Sequence, residues 1–132
     1  MEARAHLPIQ VPIEAYGNGG FRFGGMSHRG SVLCLPSGIW DWPVGAMSEL
    51  EPEALADVFA AGSAVSLLLL GTGPTLVGAP RALRAACEAA HVWIDPMDTG
   101  AAARTYNVLL AEGRPVAAAL IAVARRPLAR AL

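Results

Sequence analysis

Two loops carry the side chains best suited to chemistry. Gly71-Thr72-Gly73 leaves an apolar run and leads toward a helical stretch, and Asp95-Pro96-Met97-Asp98-Thr99-Gly100 does the same further along. If the two strands are parallel, both loops lie at the C-terminal edge of one sheet, where open α/β sheets bind ligands. Helix N-termini at that edge offer free N–H groups to an anion or a polar peptide group. Capping of the third helix by Asp98 or Thr99 is the purely structural alternative. Arg104 and Asn107 are three residues apart, so they share a helix face and could hold a carbonyl or carboxylate. Arg104 could equally pair with Asp98 in a structural network.

Other constellations fall short of a known chemistry. The dinucleotide fingerprint G-x-G-x-x-G fails after Gly71-Thr72-Gly73, where Leu76 takes the third glycine's place. It fails again after Gly17-Asn18-Gly19, where Arg22 does. Plain turns account for both. Cys87 and His91 stand four apart at a helix end, but no orienting carboxylate or oxyanion donor can be assigned to them. A core cysteine and a histidine complementing the helix dipole explain the pair more simply. His6, His28 and His91 are scattered, no Cys-x-x-Cys or His-x-x-x-His occurs, and no metal or cofactor is expected. All ten basic residues are arginine, so a P-loop lysine, a Schiff-base lysine and a lysine general base are excluded. Trp40 and Trp42 alternate with Asp41, which points both rings to one strand face. Core packing is the default for them, and anchoring a partner beside Pro43 is the alternative.

These residues need elements to place them. Pro8 to Ala15 reads as a strand, Gly17 to Gly20 as a turn, and Phe21 to Phe23 as a half-exposed return strand. Ser31 to Leu35 reads as a buried strand and Ile39 to Trp42 as its return, so the first third is a run of short antiparallel strands. The rhythm then changes. Leu55, Val58 and Phe59 follow Pro52 and flanking glutamates at helical spacing, and Gly62 ends that helix. Val65 to Leu70 is apolar throughout, Pro80 to Ala90 is helical, and Val92 to Ile94 is a second buried strand. These two strands are expected to be central and parallel. Ala101 to Leu110 is a third helix, and Val116 to Val123 the last strand. Alternating strands and helices imply right-handed crossovers.

The chain has 132 residues, of which 54% are hydrophobic and 16% charged, against the roughly 25% charged of an ordinary domain. That length fits one domain, with residues 1–6 and 125–132 expected as flexible tails, the latter carrying Arg125, Arg126 and Arg130. The apolar runs, Ala64 to Leu70 and Val116 to Ala124, are far shorter than the roughly 20 residues of a spanning helix. The first residues lack a signal-peptide core, so a cytoplasmic protein is expected. Net charge is −1 and the pI near 6.3, which leaves no basic field for nucleic acid. Cys34 and Cys87 sit among apolar or alanine-rich neighbours and read as free thiols.

The segment Asp98-Thr99-Gly100-Ala101-Ala102-Ala103-Arg104-Thr105-Tyr106-Asn107-Val108-Leu109-Leu110, followed by Glu112-Gly113-Arg114 and Val116 to Ile121, resembles the Mth938-like family. Gly17 to Phe23, Gly30-Ser31, Gly38-Ile39 and Gly71-Thr72-Gly73 occupy matching places, so the resemblance runs from about Leu7 to Val123. It departs at Asp95-Pro96, where a glutamate and an apolar residue are expected. The resemblance implies an α/β fold in layers, with a mixed central sheet flanked by helices and an additional β-hairpin layer. Its bacterial members are of unknown function, and a mitochondrial relative is an assembly factor for respiratory complex I. Fold-level kinship does not transfer function. Two functions follow as expectations. The first is a non-catalytic protein-interaction or assembly module, monomeric or weakly self-associating, using the Asp98–Asn107 region or the Trp40/Trp42 strand. The second is a small-molecule or anion-binding domain at the shared loop edge. A flat apolar patch would favour the first, and a concave polar pocket the second.

Overall fold

Three consecutive leucines, Leu68, Leu69 and Leu70, are fully buried in the computed structural model, which describes residues 6–124 and 129–131. Their strand, Leu67–Gly71, lies inside a six-stranded sheet, so both of its faces are covered. In chain order the strands are β1 (His6–Leu7), β2 (Ala15–Gly17), β3 (Gly20–Phe23), β4 (Met26–Arg29), β5 (Ser31–Leu35), β6 (Gly38–Trp42), β7 (Leu67–Gly71), β8 (Trp93–Met97), β9 (Val116–Leu120) and β10 (Ala129–Arg130). The helices are α1 (Ala56–Ala60), α2 (Arg81–Ala89) and α3 (Thr99–Ala111).

The large sheet runs β1-β6-β5-β9-β7-β8. It is mixed: β7 pairs in parallel with β8 and β9, and the other pairings are antiparallel. The small sheet, β10-β2-β3-β4, is antiparallel throughout. One face of the large sheet puts Leu68 and Leu70 against Leu55, Val58, Leu83 and Cys87 of the α1–α2 side. The other puts Leu69 against Ala102, Ala103 and Tyr106 of α3, together with Phe21 and Phe23 of the small sheet. This is the layered α/β architecture expected, with the hairpin sheet as the extra layer. Cys34 and Cys87 belong to these two different clusters and are free thiols.

Several boundaries differ from the sequence reading. Pro8 to Ala15 is not a strand: only Ala15 enters β2, and residues 8–14 lie outside any strand. Pro8 and Pro12 lack the N–H a ladder requires. The stretch is held instead by α3, whose Tyr106 hydroxyl donates to the Val11 carbonyl at 2.8 Å and whose Asn107 side chain bonds the Ile13 backbone. The antiparallel strands of the first third divide between two sheets, and β4 is a strand the apolar pattern did not indicate. The first helix is short, with Pro52 opening a 3-10 turn, Pro52–Leu55, ahead of α1. The last strand ends at Leu120 rather than Val123.

The most consequential correction concerns Val92 to Ile94. Its strand is parallel to β7 but lies at the sheet edge, not at the centre, and Trp93 is 73% exposed. It also continues through Asp95-Pro96-Met97, which the sequence assigned to a loop. Of the tails expected to be flexible, residues 1–5, 125–128 and 132 lie outside the described residues, including Arg125 and Arg126. Ala129–Arg130, by contrast, pairs with β2, and Ala131 is fully buried. Among the described residues no helix is long and apolar enough to cross a membrane.

Candidate functional site

The loops after β7 and β8 do meet at one edge, because those strands are parallel and adjacent. Backbone bonds lock them together. The Thr72 N–H donates to the Met97 carbonyl and the Thr99 N–H to the Gly73 carbonyl, both at 2.8 Å. Thr99 is completely buried, and its hydroxyl ties three segments: it accepts from the Gly73 N–H at 2.9 Å and donates to the Ile121 carbonyl at 2.7 Å. The Thr72 hydroxyl, in turn, lies 2.7 Å from the Thr75 carbonyl and accepts from the Val77 N–H at 3.0 Å. Gly71 is the last residue of β7, packed so closely on Thr99 that a side chain would crowd it. Asp98 caps α3, its Oδ1 accepting from the Ala101 N–H at 3.0 Å. The polar groups of this edge are thus spent on the fold, leaving little with which to cradle an anion.

Arg104 and Asn107, predicted to share a face, take different roles. Asn107 works inward: its Oδ1 accepts from the Ile13 N–H, and its Nδ2 donates to the carbonyls of Ile13 and Ala131, all at 2.8 Å. Arg104 is exposed, and no ion pair among the described residues joins it to Asp98. Trp42 takes the default, core position rather than the alternative one on a partner surface: it is 2% exposed, with its indole N–H on the Ala54 carbonyl at 2.8 Å. Burial wins because the α1 side covers that strand face. Trp40 points the same way, half-buried against the same cluster, with its N–H on Ser37 Oγ at 3.0 Å.

What remains open at the loop edge is apolar. A groove of about 570 Å³ runs between the loop after β7 and the chain leaving β9, lined by Met47, Pro74, Val77, Ile121 and Val123 among others, with no ionisable side chain among the described residues of its walls. Leu76 beside it is 65% exposed and Val77 is 41% exposed. The described residues of these walls include no carboxylate, imidazole or thiol to act as general acid, base or nucleophile, and the Thr72 hydroxyl is engaged by the Thr75 carbonyl and the Val77 N–H. The buried thiols do not change this. Burial pushes the Cys34 thiol up to about 12, against a smaller lowering by its hydrogen bond to Tyr106, and burial also raises Cys87. Both stay protonated near neutrality, and Cys87 is fully buried while His91 is exposed. Among the described residues no group of three histidines, cysteines or carboxylates is placed to hold a metal.

The profile of a family described as protein of unknown function (DUF498/DUF598) matches residues 13–121, most of the chain. The chain belongs to that family. An uncharacterized protein from Rhodobacter capsulatus is 41% identical over 84% of each chain. NADH dehydrogenase (ubiquinone) 1 alpha subcomplex assembly factor 3 of Bos taurus is 30% identical, over 86% of this chain and 62% of that protein. The match therefore spans less than two thirds of the assembly factor. A crystal structure from Bartonella henselae, described as an outer membrane protein, superposes with a TM-score of 0.86 at 47% identity, covering 89% of this chain and 99% of that one. A solution structure from Bordetella pertussis, described as a Mth938-like domain, gives 0.74 at 25% identity with 92% of both chains covered. The Mth938-like resemblance read from the sequence is thus matched by a solved structure as well as by the family profile.

Sequence reasoning about this DUF498/DUF598 protein missed two features: the apolar groove and the exposed Trp93. The first had a signal, since Leu76-Val77 is an apolar pair inside a glycine- and proline-rich loop. The second had none, because an edge and a centre strand look alike when read only as short apolar runs.

Proposed function

We propose that the protein is a non-catalytic interaction module, similar in role to an assembly factor, that holds an apolar segment of another protein at the loop edge of the parallel strands. One observation carries this reading: the groove there is walled by Met47, Val77, Ile121 and Val123, has no ionisable group among the described residues that line it, and has Leu76 and Val77 exposed beside it. Exposed apolar surface next to a concave wall is what a partner's apolar side chains bury. The likeness to a complex I assembly factor supports a protein partner. The anion-binding alternative loses ground because Thr72, Thr99 and Asp98 already bond within the fold. A cytoplasmic setting, and a monomer or weak homo-oligomer, go with this reading.

The test is affinity purification of the tagged protein from its own cells with mass spectrometry, beside the double variant Leu76→Asp/Val77→Asp. Both side chains are exposed, so the melting temperature should stay within a degree or two, about the effect of a surface change. The wild type should retain a partner that the variant loses. Identical partner sets in both, with the variant folded, would reject the groove.

A further inference from the structure

A second groove, of about 830 Å³, lies on the opposite flank of the loop edge, between α2 and the free side of β8. Arg81, Arg84 and Glu88 line it from α2 at helical spacing, and Trp93, Ile94 and Pro96 line it from the strand. Both arginines are exposed and sit three residues apart, and no ion pair among the described residues engages either one. Like charges so placed repel one another on a bare helix. Trp93 is the most exposed of the large apolar residues among those described, at 73%. Tryptophan and arginine are also the residues that dominate binding energy at interfaces.

The strand contributes polar groups as well. The Trp93 N–H donates inward to the Ser66 carbonyl, and the Met97 carbonyl accepts inward from Thr72. Alternation in a parallel ladder therefore turns the N–H and C=O of Ile94 outward, together with the carbonyl of Pro96. Pro96 has no N–H, so a long strand cannot continue past Ile94. The groove suits a short segment, not an added strand. With Arg81, Arg84, Glu88 and His91 as its ionisable lining, its charge favours an acidic occupant.

We propose that this groove binds a short acidic peptide segment of a partner protein, its carboxylates on Arg81 and Arg84 and an apolar side chain on Trp93. The site is separate from the apolar loop-edge groove. Selection of phage-displayed random dodecapeptides on the full chain should enrich sequences carrying acidic residues beside an aromatic or aliphatic one. Synthetic copies should shift backbone amide resonances at residues 81–85 and 93–94, and should bind more weakly as salt is raised. Arg81→Gln/Arg84→Gln and, separately, Trp93→Ala should each weaken binding by about tenfold or more, with unchanged melting curves. Leu76→Asp/Val77→Asp should leave it intact. The proposal is overturned by an absence of enrichment, by acid-free selected peptides, by equal binding to the arginine variant, by loss in the Leu76/Val77 variant, or by an oligodeoxythymidylate binding tighter than the selected peptides.

Discussion

Asn107 does with one amide what a neighbouring strand would otherwise do for the irregular stretch before β2. It satisfies the N–H and C=O of Ile13 and the carbonyl of Ala131. Asn107→Leu leaves three backbone groups short of partners, so we expect a loss of about 3 kcal/mol in urea unfolding. Arg104→Met, one turn earlier and exposed, should change stability by less than about 0.5 kcal/mol. A comparable loss for both would mean that the arginine also holds the fold. Cys34 makes a pH-dependent contribution of definite sign. Its thiol ionises near 9.0 when unfolded and at about 12 when folded, because burial disfavours the thiolate. The associated stability is complete below pH 9 and is lost as pH rises from there toward 12. Relative to wild type, Cys34→Ala should flatten the decline by about 1 kcal/mol per pH unit above roughly 9. Parallel stability curves for the two proteins in that range would refute the assignment.

At the scale of elements, β8 is an edge strand with its outward side blunted. Edge strands template unwanted pairing, and a proline at an outward-facing position removes the donor that pairing needs. Pro96→Val restores that N–H. The variant should sediment as larger species than the parent at the same concentration, and an unchanged profile would show that other features protect the edge. The close seat of α3 depends on small side chains. Ala102 and Ala103 are fully buried, and a Cβ on Gly100 would run into the Tyr16 hydroxyl. The β2–β3 hairpin is closed by Asn18 and Gly19, both at positive φ, the geometry of a two-residue turn that follows the strand twist.

For the whole molecule, α3 sits between the large sheet and the chain segments that lead into the small one. Its buried side packs on β7 and β9, while Tyr106 and Asn107 fasten residues 11 and 13. Cooperative opening should therefore follow the layers. In hydrogen exchange, Leu68 to Leu70 and Ala117 to Ala119 should exchange only through global unfolding. Phe21 to Phe23 should exchange sooner, and sooner still in Asn107→Leu. Uniform protection across both sheets would show that the hairpin layer has no independent opening.

Local pattern in the sequence determined much of this. The apolar run at Val65 to Leu70 reads as a strand covered on both faces, Asp98 or Thr99 as a candidate helix cap, and Gly17 to Gly20 as a turn. The residues themselves set the conformations these segments could take. The absence of lysine excluded whole chemistries outright. Which surfaces stay open was decided only by tertiary contacts. Trp42 and Trp93 sit in similarly apolar short strands, yet one lies under the α1 side and the other at the sheet edge, because strand order is fixed by pairings between distant segments. Asn107 and Arg104 lie three residues apart on one helix, yet the first meets Ile13, 94 positions away in sequence, while the second faces outward. Burial and hydrogen-bond satisfaction depend on what packs opposite a residue, and periodicity along the chain carries no record of that neighbour.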